Sequence, residues 1–318
     1  MNIRSIGIVT VNFNSFNDTF ELIKSIEKIS YKDFSMYIVD NGSKNNEYSK
    51  LLDLKKNIHS FNCEVLHSKE NLGFAGGYNL GILRALSDRN DGILILSNDT
   101  TVEIDFLTEL VKTANNNNNV GIVGGKIFYF DRPDILWTVG GKVNRWFGSK
   151  YFGNNKLDNG QFDNISISHV SGCMALIPRE TLLNIGLFDE SYFFRGEEWD
   201  LCFRIKKNGL KAFLSKNSKI FHKVSKSVSR YSKFDLYCAY RSKLLFVSKF
   251  QPKFIAWLWI KIFKRILIYK YFYFSKSAKS RELDFMTKGE YNELINKVYS
   301  DFYSKIPITS NYLKRILS

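Results

Sequence analysis

The stretch Ile6-Gly7-Ile8-Val9-Thr10-Val11, closed by Asn12-Phe13-Asn14, decides the fold class. Its residues are apolar or small, show no polar alternation and run into a polar turn, the pattern of a strand buried on both faces. Similar runs follow at residues 35–39, 63–66 and 92–96, and segments with helical spacing lie between them at 16–29, 47–56 and 77–87. Strands and helices alternating in this way predict an α/β unit with a Rossmann-like, mostly parallel sheet and helices on both faces. A helix beginning near Glu103 and closed by the run Asn115 to Asn119 leads into a further strand, Val120-Gly121-Ile122-Val123-Gly124-Gly125. Residues 126–170 are rich in Gly, Asn and aromatics without a clear period and predict loops and short strands. Helical spacing returns at 197–207 and again from Phe234. The expected division is a first half over 1–130, a second over 131–233 and a helical, basic region over 234–318.

The charge is unevenly placed. Residues 1–203 carry 20 basic and 25 acidic side chains, whereas residues 204–318 carry 26 basic and 6 acidic, a net of +20 against −5. A strongly basic back points to an anionic partner, and since no base-reading motif is present, nucleic acid is not expected. Cys63, Cys173, Cys202 and Cys238 lie far apart with no CxxC pair, so they read as buried thiols of a reducing compartment. No signal peptide opens the chain and no apolar run reaches the ~20 residues needed to span a bilayer. The expected location is the cytoplasm, at most touching a membrane.

In an open α/β sheet, ligands bind beyond the carboxyl ends of the strands. Strand one ends in Thr10, Asn12 and Asn14, strand two in Asp40-Asn41-Gly42-Ser43, strand three near Asn71 with Gly73-Phe74-Ala75-Gly76-Gly77 beyond it, and strand four in Ser97-Asn98-Asp99-Thr100. Taken singly, Asp40-Asn41-Gly42-Ser43 is a turn with a helix cap, and Asp99-Thr100 is a cap as well. Four consecutive strands with polar groups at one end make a site. Asp40 can accept hydrogen bonds from a base or ribose, with Thr10 and Asn12 beside it. The glycines after Asn71 allow close approach of backbone to a ligand, with a helix N-terminus facing negative charge. Their spacing is not GxGxxG, so no dinucleotide fingerprint is present. Asp99 is a hard oxygen ligand suited to Mg²⁺ or Mn²⁺ on a diphosphate.

The second half adds Phe193-Phe194-Arg195-Gly196-Glu197-Glu198-Trp199-Asp200. Acidic residues favour a first helical turn, but an aromatic surround raises a carboxylate's pKa and suits a general base. His222 follows the strand-like run Ser218-Lys219-Ile220-Phe221 and precedes Lys223-Val224-Ser225-Lys226-Ser227, a setting of cations and hydroxyls that suits phosphate.

The order of these segments resembles family 2 glycosyltransferases, particularly the rhamnosyltransferase-like group that builds bacterial surface polysaccharides. The resemblance rests on residues 8–14, Val39-Asp40-Asn41-Gly42-Ser43, the segment from Asn71 to Gly81, Leu96-Ser97-Asn98-Asp99, Ser171-Gly172-Cys173, Gly186-Leu187-Phe188-Asp189-Glu190 and Gly196-Glu197-Glu198-Trp199-Asp200-Leu201. It covers residues 5–225. It implies a GT-A fold, an inverting mechanism and a divalent cation, Mg²⁺ or Mn²⁺. Position by position, Asp40 resembles the nucleotide-contacting Asp, Asp99 the last Asp of the DxD motif that holds the metal, Glu198 the catalytic base and His222 a His near the metal or diphosphate. Thr10, Asn12, Asn71, Gly73, Asn79 and Asn98 complete the implied nucleotide-sugar set, and Glu197 and Asp200 stand with Glu198 as catalytic candidates. The DxD first position is Ser97, and the base position is Glu where the family usually has Asp, which leaves the choice between Glu197 and Glu198 open. The resemblance further implies a nucleoside diphosphate sugar donor, dTDP-rhamnose ahead of a UDP-hexose, and a glycan acceptor carried on polyprenyl diphosphate, in O-antigen or capsule synthesis.

The expected reaction is a single in-line displacement, consistent with the lack of a nucleophile elbow or Cys–His arrangement in the sequence. A sugar-phosphate nucleotidyltransferase needs a Gly-rich basic loop after strand one, which Asn12-Phe13-Asn14-Ser15 is not. A non-catalytic membrane- or nucleic-acid-binding scaffold leaves the acidic cluster at 198 without a purpose. From Lys253 to Lys276, Lys253, Lys261, Lys264 and Arg265 fall within about a third of a helix circumference, with Lys270 off that sector and Trp257, Trp259, Phe263 and Tyr269 elsewhere. That pattern predicts an interfacial helix on the anionic inner face of the bacterial cell membrane.

Overall fold

The computed structural model describes residues 2–146, 148–224, 232–274 and 286–317, with side chains undescribed at 270–274 and 317. The elements run β1 (Ile6–Asn12), α1 (Phe16–Ile26), β2 (Phe34–Asn41), α2 (Glu47–Lys56), β3 (Asn62–Ser68), α3 (Gly73–Ser87), β4 (Gly92–Leu96), β5 (Thr100–Val102), α4 (Phe106–Asn115) and β6 (Val120–Tyr129). They continue through β7 (Arg132–Thr138), β8 (Gly141–Asn144), β9 (Gly148–Tyr151), β10 (Lys156–Leu157), β11 (Met174–Pro178), α5 (Arg179–Ile185), α6 (Glu197–Lys207) and β12 (Lys211–His222). Four helices close the chain: α7 (Lys233–Phe250), α8 (Lys253–Phe274), α9 (Lys288–Tyr303) and α10 (Ser310–Leu317).

Among the described residues, one mixed sheet has the order β10-β7-β6-β11-β4-β1-β2-β3, with β12 pairing β6 and β5. The run β3-β2-β1-β4 is parallel. β11 enters antiparallel between β4 and β6, and β12 lies parallel to β6. β1 as far as Val9 and all of β4 are apolar or small because both faces are covered: Ile6 and Ile8 pack with Leu22, Ile23 and Ile26 of α1, and Val9 packs with Ile82 and Ala85 of α3. The sheet takes strands from both sides of residue 130, so the first two expected segments share one hydrophobic core.

Two glycines show how closely α3 lies on the sheet. A Cβ at Gly81 would meet Val9 Cγ1 at 2.3 Å, and Gly73, at φ +74°, sits against the Phe193 carbonyl, where a Cβ would come within 2.2 Å. The left-handed backbone and the lack of space select glycine there. α3 starts at Gly73, four residues before the periodicity predicts, because side chains and a carbonyl from distant segments cap it: Asn71 Oδ1 accepts from Gly73 N–H, Asn41 Oδ1 from Leu72 N–H and the Phe193 carbonyl from Phe74 N–H. The N–H groups of Leu72, Gly73 and Phe74 thus have partners within the chain, and Gly77 and Gly81 lie against β1 and β2.

The C-terminal helices form their own core, with Tyr237, Leu244, Tyr291, Ile295 and Val298 buried. Tyr237 Oη donates to Asp301 at 2.7 Å, and the Tyr299 hydroxyl donates to the Ile260 carbonyl. α7 also braces the loop that enters α6: Arg195 pairs with Asp235 at 2.5 Å, Arg241 donates to the Ser191 carbonyl, and Lys249 reaches Asp189 and Asp200. Phe193 and Phe194 pack toward Phe234 of this bundle, so the aromatic surround expected of the acidic cluster does not come from them.

Candidate active site

The polar groups at the carboxyl edge of the sheet form two clusters. The first lies on the α1 and α2 side. Asp40 is fully buried; its Oδ1 accepts from Asn12 Nδ2 at 3.3 Å, and its Oδ2 pairs with His67 Nδ1 at 3.0 Å. Asn12 also donates to Ser43 and Glu47 and accepts from Thr19. Asn98 donates to Ser15 and Thr19. Thr10 is buried in the same layer with its hydroxyl unpartnered. His67 stacks on Tyr48 with ring centroids 4.3 Å apart. A cleft of about 720 Å³ opens beside this cluster, lined by Asn14, Ser15, Asp18, Glu47, Lys50 and Lys223 among others.

The second cluster lies around Asp99 and Glu198. Asp99 Oδ2 meets His222 Nε2 at 3.1 Å, while Asp99 Oδ1 is buried without a partner. β12 brings His222 there by pairing with β5, which sets it opposite Thr100. Cys173 Sγ lies 3.7 and 3.8 Å from the two ring nitrogens. Burial opposes charge on His222, but the Cys173 sulfur and the Asp99 carboxylate outweigh it and hold the imidazole pKa well above its usual value. Burial pushes Asp99 up as well, yet His222 wins and keeps its carboxyl below the usual range.

Glu197 opens α6 behind Gly196 in a left-handed conformation, and Glu198 follows it. Glu198 Oε1 accepts from Gly172 N–H at 2.8 Å and Oε2 from Tyr151 Oη at 3.1 Å. His169 Nε2 stands 3.6 Å from Oε2. Burial raises the pKa of both glutamates, that of Glu197 to about 8. The surround of Glu198 is aromatic, but it comes from the segment expected to be loop: Tyr151 packs edge-on to His169 and against Trp137, and Trp137 packs edge-on to His222. Adjacent residues Gly172 and Cys173 touch Glu198 and His222 respectively, so a single dipeptide links the two groups. Asp200 is placed differently: its buried carboxylate pairs with Arg204 and Lys249, each at 2.5 Å, and ties α6 to α7.

Comparison with known proteins gives this geometry a family. Residues 7–186, more than half of the chain, match the family described as Glycosyl transferase family 2. The chain belongs to that family. The glycosyltransferase is 23% identical over 245 residues to the low-salt glycan biosynthesis hexosyltransferase Agl10 of Haloferax volcanii, covering 76% of this chain and 74% of the relative. Its fold is that of solved GT-A enzymes. GalNAc-T7 with UDP, GalNAc and Mn²⁺ superposes with a TM-score of 0.63 at 15% identity, over 98% of this chain and 57% of that one. The mannosyltransferase PcManGT of Pyrobaculum calidifontis with GDP-Man and Mn²⁺ gives 0.58 at 12% identity, over 98% and 79%. S. aureus TarS 1-349 with UDP-GlcNAc gives 0.56 at 15%, over 95% and 82%. The chain thus spans just over half the length of the GalNAc-T7 chain.

The orphaned oxygen of Asp99 is the kind of ligand a hard cation takes. Among the described residues no group of three His, Cys, Asp or Glu side chains is placed to hold a metal ion, so Asp99 fits a cation whose other ligands are diphosphate oxygens and water. A protonated His222 favours an anion; ligating a metal requires that proton to leave.

Other expected site residues have internal partners. Asn71 bonds Asn41 and Gly73. The Asn79 amide is tied to Phe188 and Glu190, fixing the loop before α6 to α3. Of the thiols, Cys63, Cys202 and Cys238 are buried, but Cys173 is partly exposed and faces His222. The glycosyltransferase therefore does contain a Cys–His contact, which the sequence hid because 49 positions separate the two residues. His67, Trp137, Tyr151 and His169 also went unrecognised. Each is a lone side chain on an aperiodic or edge segment, and only tertiary pairing brings it to the site. Of the segment after His222, Ser225, Lys226 and Ser227 lie outside the described residues.

Proposed function

We propose that this glycosyltransferase moves a sugar from a nucleoside diphosphate sugar to a glycan hydroxyl, with Glu198 as general base. The observation that carries the reading is the dipeptide Gly172-Cys173, which touches the Glu198 carboxylate on one side and, through His222, the His222–Asp99 pair on the other. Glu198 takes the acceptor hydroxyl proton as that oxygen attacks the anomeric carbon, and the nucleoside diphosphate departs with the electron pair of the broken C–O bond. Inversion follows from a single displacement. His222, held cationic, stabilises charge growing on the departing diphosphate. A divalent cation, Mg²⁺ or Mn²⁺, would be held by Asp99 and the diphosphate and would supply further charge neutralisation. Residues 1–130 serve the donor, and residues 131–233 the acceptor and the chemistry.

The resemblance around Asn71 to Gly81 favours dTDP-rhamnose. A UDP-hexose is the second reading, favoured by the hexosyltransferase relative and by UDP-GlcNAc in the TarS structure. Titration calorimetry with dTDP, UDP, GDP and ADP tests both. Binding of dTDP or UDP is expected, and a response to purine nucleotides alone overturns the donor assignment.

The acceptor in this reading is a polyprenyl diphosphate-linked glycan of O-antigen or capsule synthesis, reached at the cytoplasmic face of the membrane through α8. No helix of the described residues is long and apolar enough to cross a membrane. α8 buries Ala256, Ile260 and Leu267 against the bundle and exposes Phe254 (72%), Trp257, Leu258, Ile262, Ile266 and Tyr269 (70%). Lys261 and Arg265 are exposed on the same face, with Lys261 Nζ 3.9 Å from the Trp257 ring centroid. Lys264 instead turns toward Tyr299 of α9. Apolar and basic residues therefore share one outward face and do not lie opposite each other as the helical wheel predicts, because the bundle covers the third side. An apolar face edged with cations suits anionic lipid headgroups. The side chain of Lys270 and residues 275–276 lie outside the described residues.

A further inference from the structure

The proposed base has a neighbour that the reaction as written does not use. His169 is fully buried, and neither ring nitrogen has a hydrogen-bond partner. A buried imidazole with both nitrogens unsatisfied is costly unless a partner exists in some state of the site. Glu198 Oε2 lies 3.6 Å from Nε2, just beyond hydrogen-bond range. Tyr151 donates to the same oxygen and packs edge-on to the His169 ring at 4.8 Å, so Oε2 sits in a notch formed by these two side chains.

We propose that His169 is a positioning residue for Glu198, a neutral imidazole that holds the Oε2 edge in both protonation states. This inference rests on the reading of Glu198 as the base. While Glu198 is ionised, an N–H at Nε2 donates to Oε2, reinforcing the Tyr151 bond. Once the acceptor proton has arrived on Glu198, the carboxyl O–H forms at Oε1 and Oε2 remains an acceptor for the same Nε2–H, so no imidazole proton has to move. Holding the carboxyl edge in both states limits the rotation that a Glu, longer than Asp by one methylene, gains at this position. Burial supports the neutral form, since it drives the His169 pKa down to about 3. The other groups that act on Glu198 are the Gly172 N–H, the Tyr151 hydroxyl, Arg195 and Glu197 beside it, Tyr78 from α3 and Cys202 on its own helix. Of these, only the Tyr151 hydroxyl also bonds Oε2, so His169 and Tyr151 are the two side chains that can hold that edge.

The test uses the full chain with ¹⁵N-labelled histidine, and His169 is assigned by substitution among the four histidines. Its ring is expected to stay neutral from pH 5 to 8, while its Nε2 resonance shifts with the protonation of Glu198 and loses that shift in Glu198→Gln. A His169 resonance that is indifferent to pH, or that shifts equally in Glu198→Gln, overturns the inference without a kinetic assay. Kinetics add a second arm, with UDP-glucose and dTDP-rhamnose as donors and water as acceptor. His169→Phe should lower kcat about tenfold, leave donor KM within about twofold and move the acid limb of the rate profile upward by about one pH unit, because a donor to the ionised carboxyl is gone. His169→Gln, which can offer an amide near Nε2, should recover most of the loss. If Glu198→Gln is inactive while His169→Phe matches the parent in rate and profile, this inference fails alone. If Glu198→Gln turns over at the parental rate, the reading of the base fails first.

Discussion

Asp40 and Asp99 stand beyond the two strands that flank β1, at one edge of one sheet, yet their surroundings differ in kind. Asp40 has both oxygens engaged, by Asn12 and His67, inside a network that reaches Ser43, Glu47, Thr19 and Asn98. Asp99 has one oxygen on His222 and the other buried without a partner. The surroundings of Glu198 repeat this incompleteness: Glu197 Oε2 and both nitrogens of His169 are orphaned as well. On the Asp40 side the Thr10 hydroxyl is the exception; the hydrogen bonds around Asp40 otherwise contribute to stability and fix backbone. Buried polar atoms left without partners lower stability and are kept where a ligand or a reaction completes them. In the proposed function, the Asp40 side is frame, to which a nucleotide adds contacts, and the Asp99–Glu198 side is where the chemistry would occur.

The sharpest way to break the contrast is at Asp99. Transfer or donor hydrolysis should disappear with EDTA and return with Mg²⁺ or Mn²⁺, and Asp99→Asn should be inactive with a melting temperature close to the parent. Full activity of Asp99→Asn without metal contradicts the assignment. At Asp40 the order should reverse: Asp40→Ala should cost about 3 kcal/mol, because Asn12 and His67 lose their shared acceptor, which denaturant unfolding measures. A stability unchanged by Asp40→Ala would remove the distinction between frame and chemistry.

Glu197 gives the pH dependence. Its carboxyl is held protonated in the folded chain up to about pH 8 by burial and then by the neighbouring Glu198, while in the unfolded chain it ionises near the ordinary Glu value. The folded state therefore binds the extra proton across that window, and this group's contribution to stability is complete below the unfolded pKa and lost as pH rises toward 8. Glu197→Gln should flatten that part of the stability profile; an unchanged slope places the titration elsewhere. The smallest effect on the enzyme itself is expected at α8. Replacing Lys261 and Arg265 with Glu should leave folding and soluble-donor hydrolysis within experimental error, since surface charges contribute little, but should weaken co-sedimentation with anionic liposomes in low salt. Unchanged pelleting would show that this face is not the anchor.

The alternation of strands and helices through residue 96 was legible because strands covered on both faces and amphipathic helices such as α1 have distinct periods, whereas β5, three residues long, reads as a cap. α6 was readable at both ends, since acids open it and cations close it. The family pattern named Glu198, Asp99 and His222 as candidates. The side chains around them were not legible. Tyr151 ends a short edge strand, and His169 lies outside any strand or helix. Trp137 reaches His222 only because β7 pairs with β6, and no local period records such pairing. The glycines of α3 read two ways in the sequence for a related reason: close packing on Val9 and close approach to a ligand call for the same residue.

The central claim is that Glu198, and not the adjacent Glu197, removes the acceptor proton. Measuring turnover and donor affinity in parallel for Glu198→Gln and Glu197→Gln tests it directly. The account predicts that Glu198→Gln loses about 10²–10⁴-fold in turnover, the usual share of general base catalysis, with calorimetric donor affinity within about twofold of the parent, while Glu197→Gln stays within about tenfold of parental turnover. A Glu198→Gln enzyme at parental rate, with Glu197→Gln inactive, would contradict it and move the base one residue earlier.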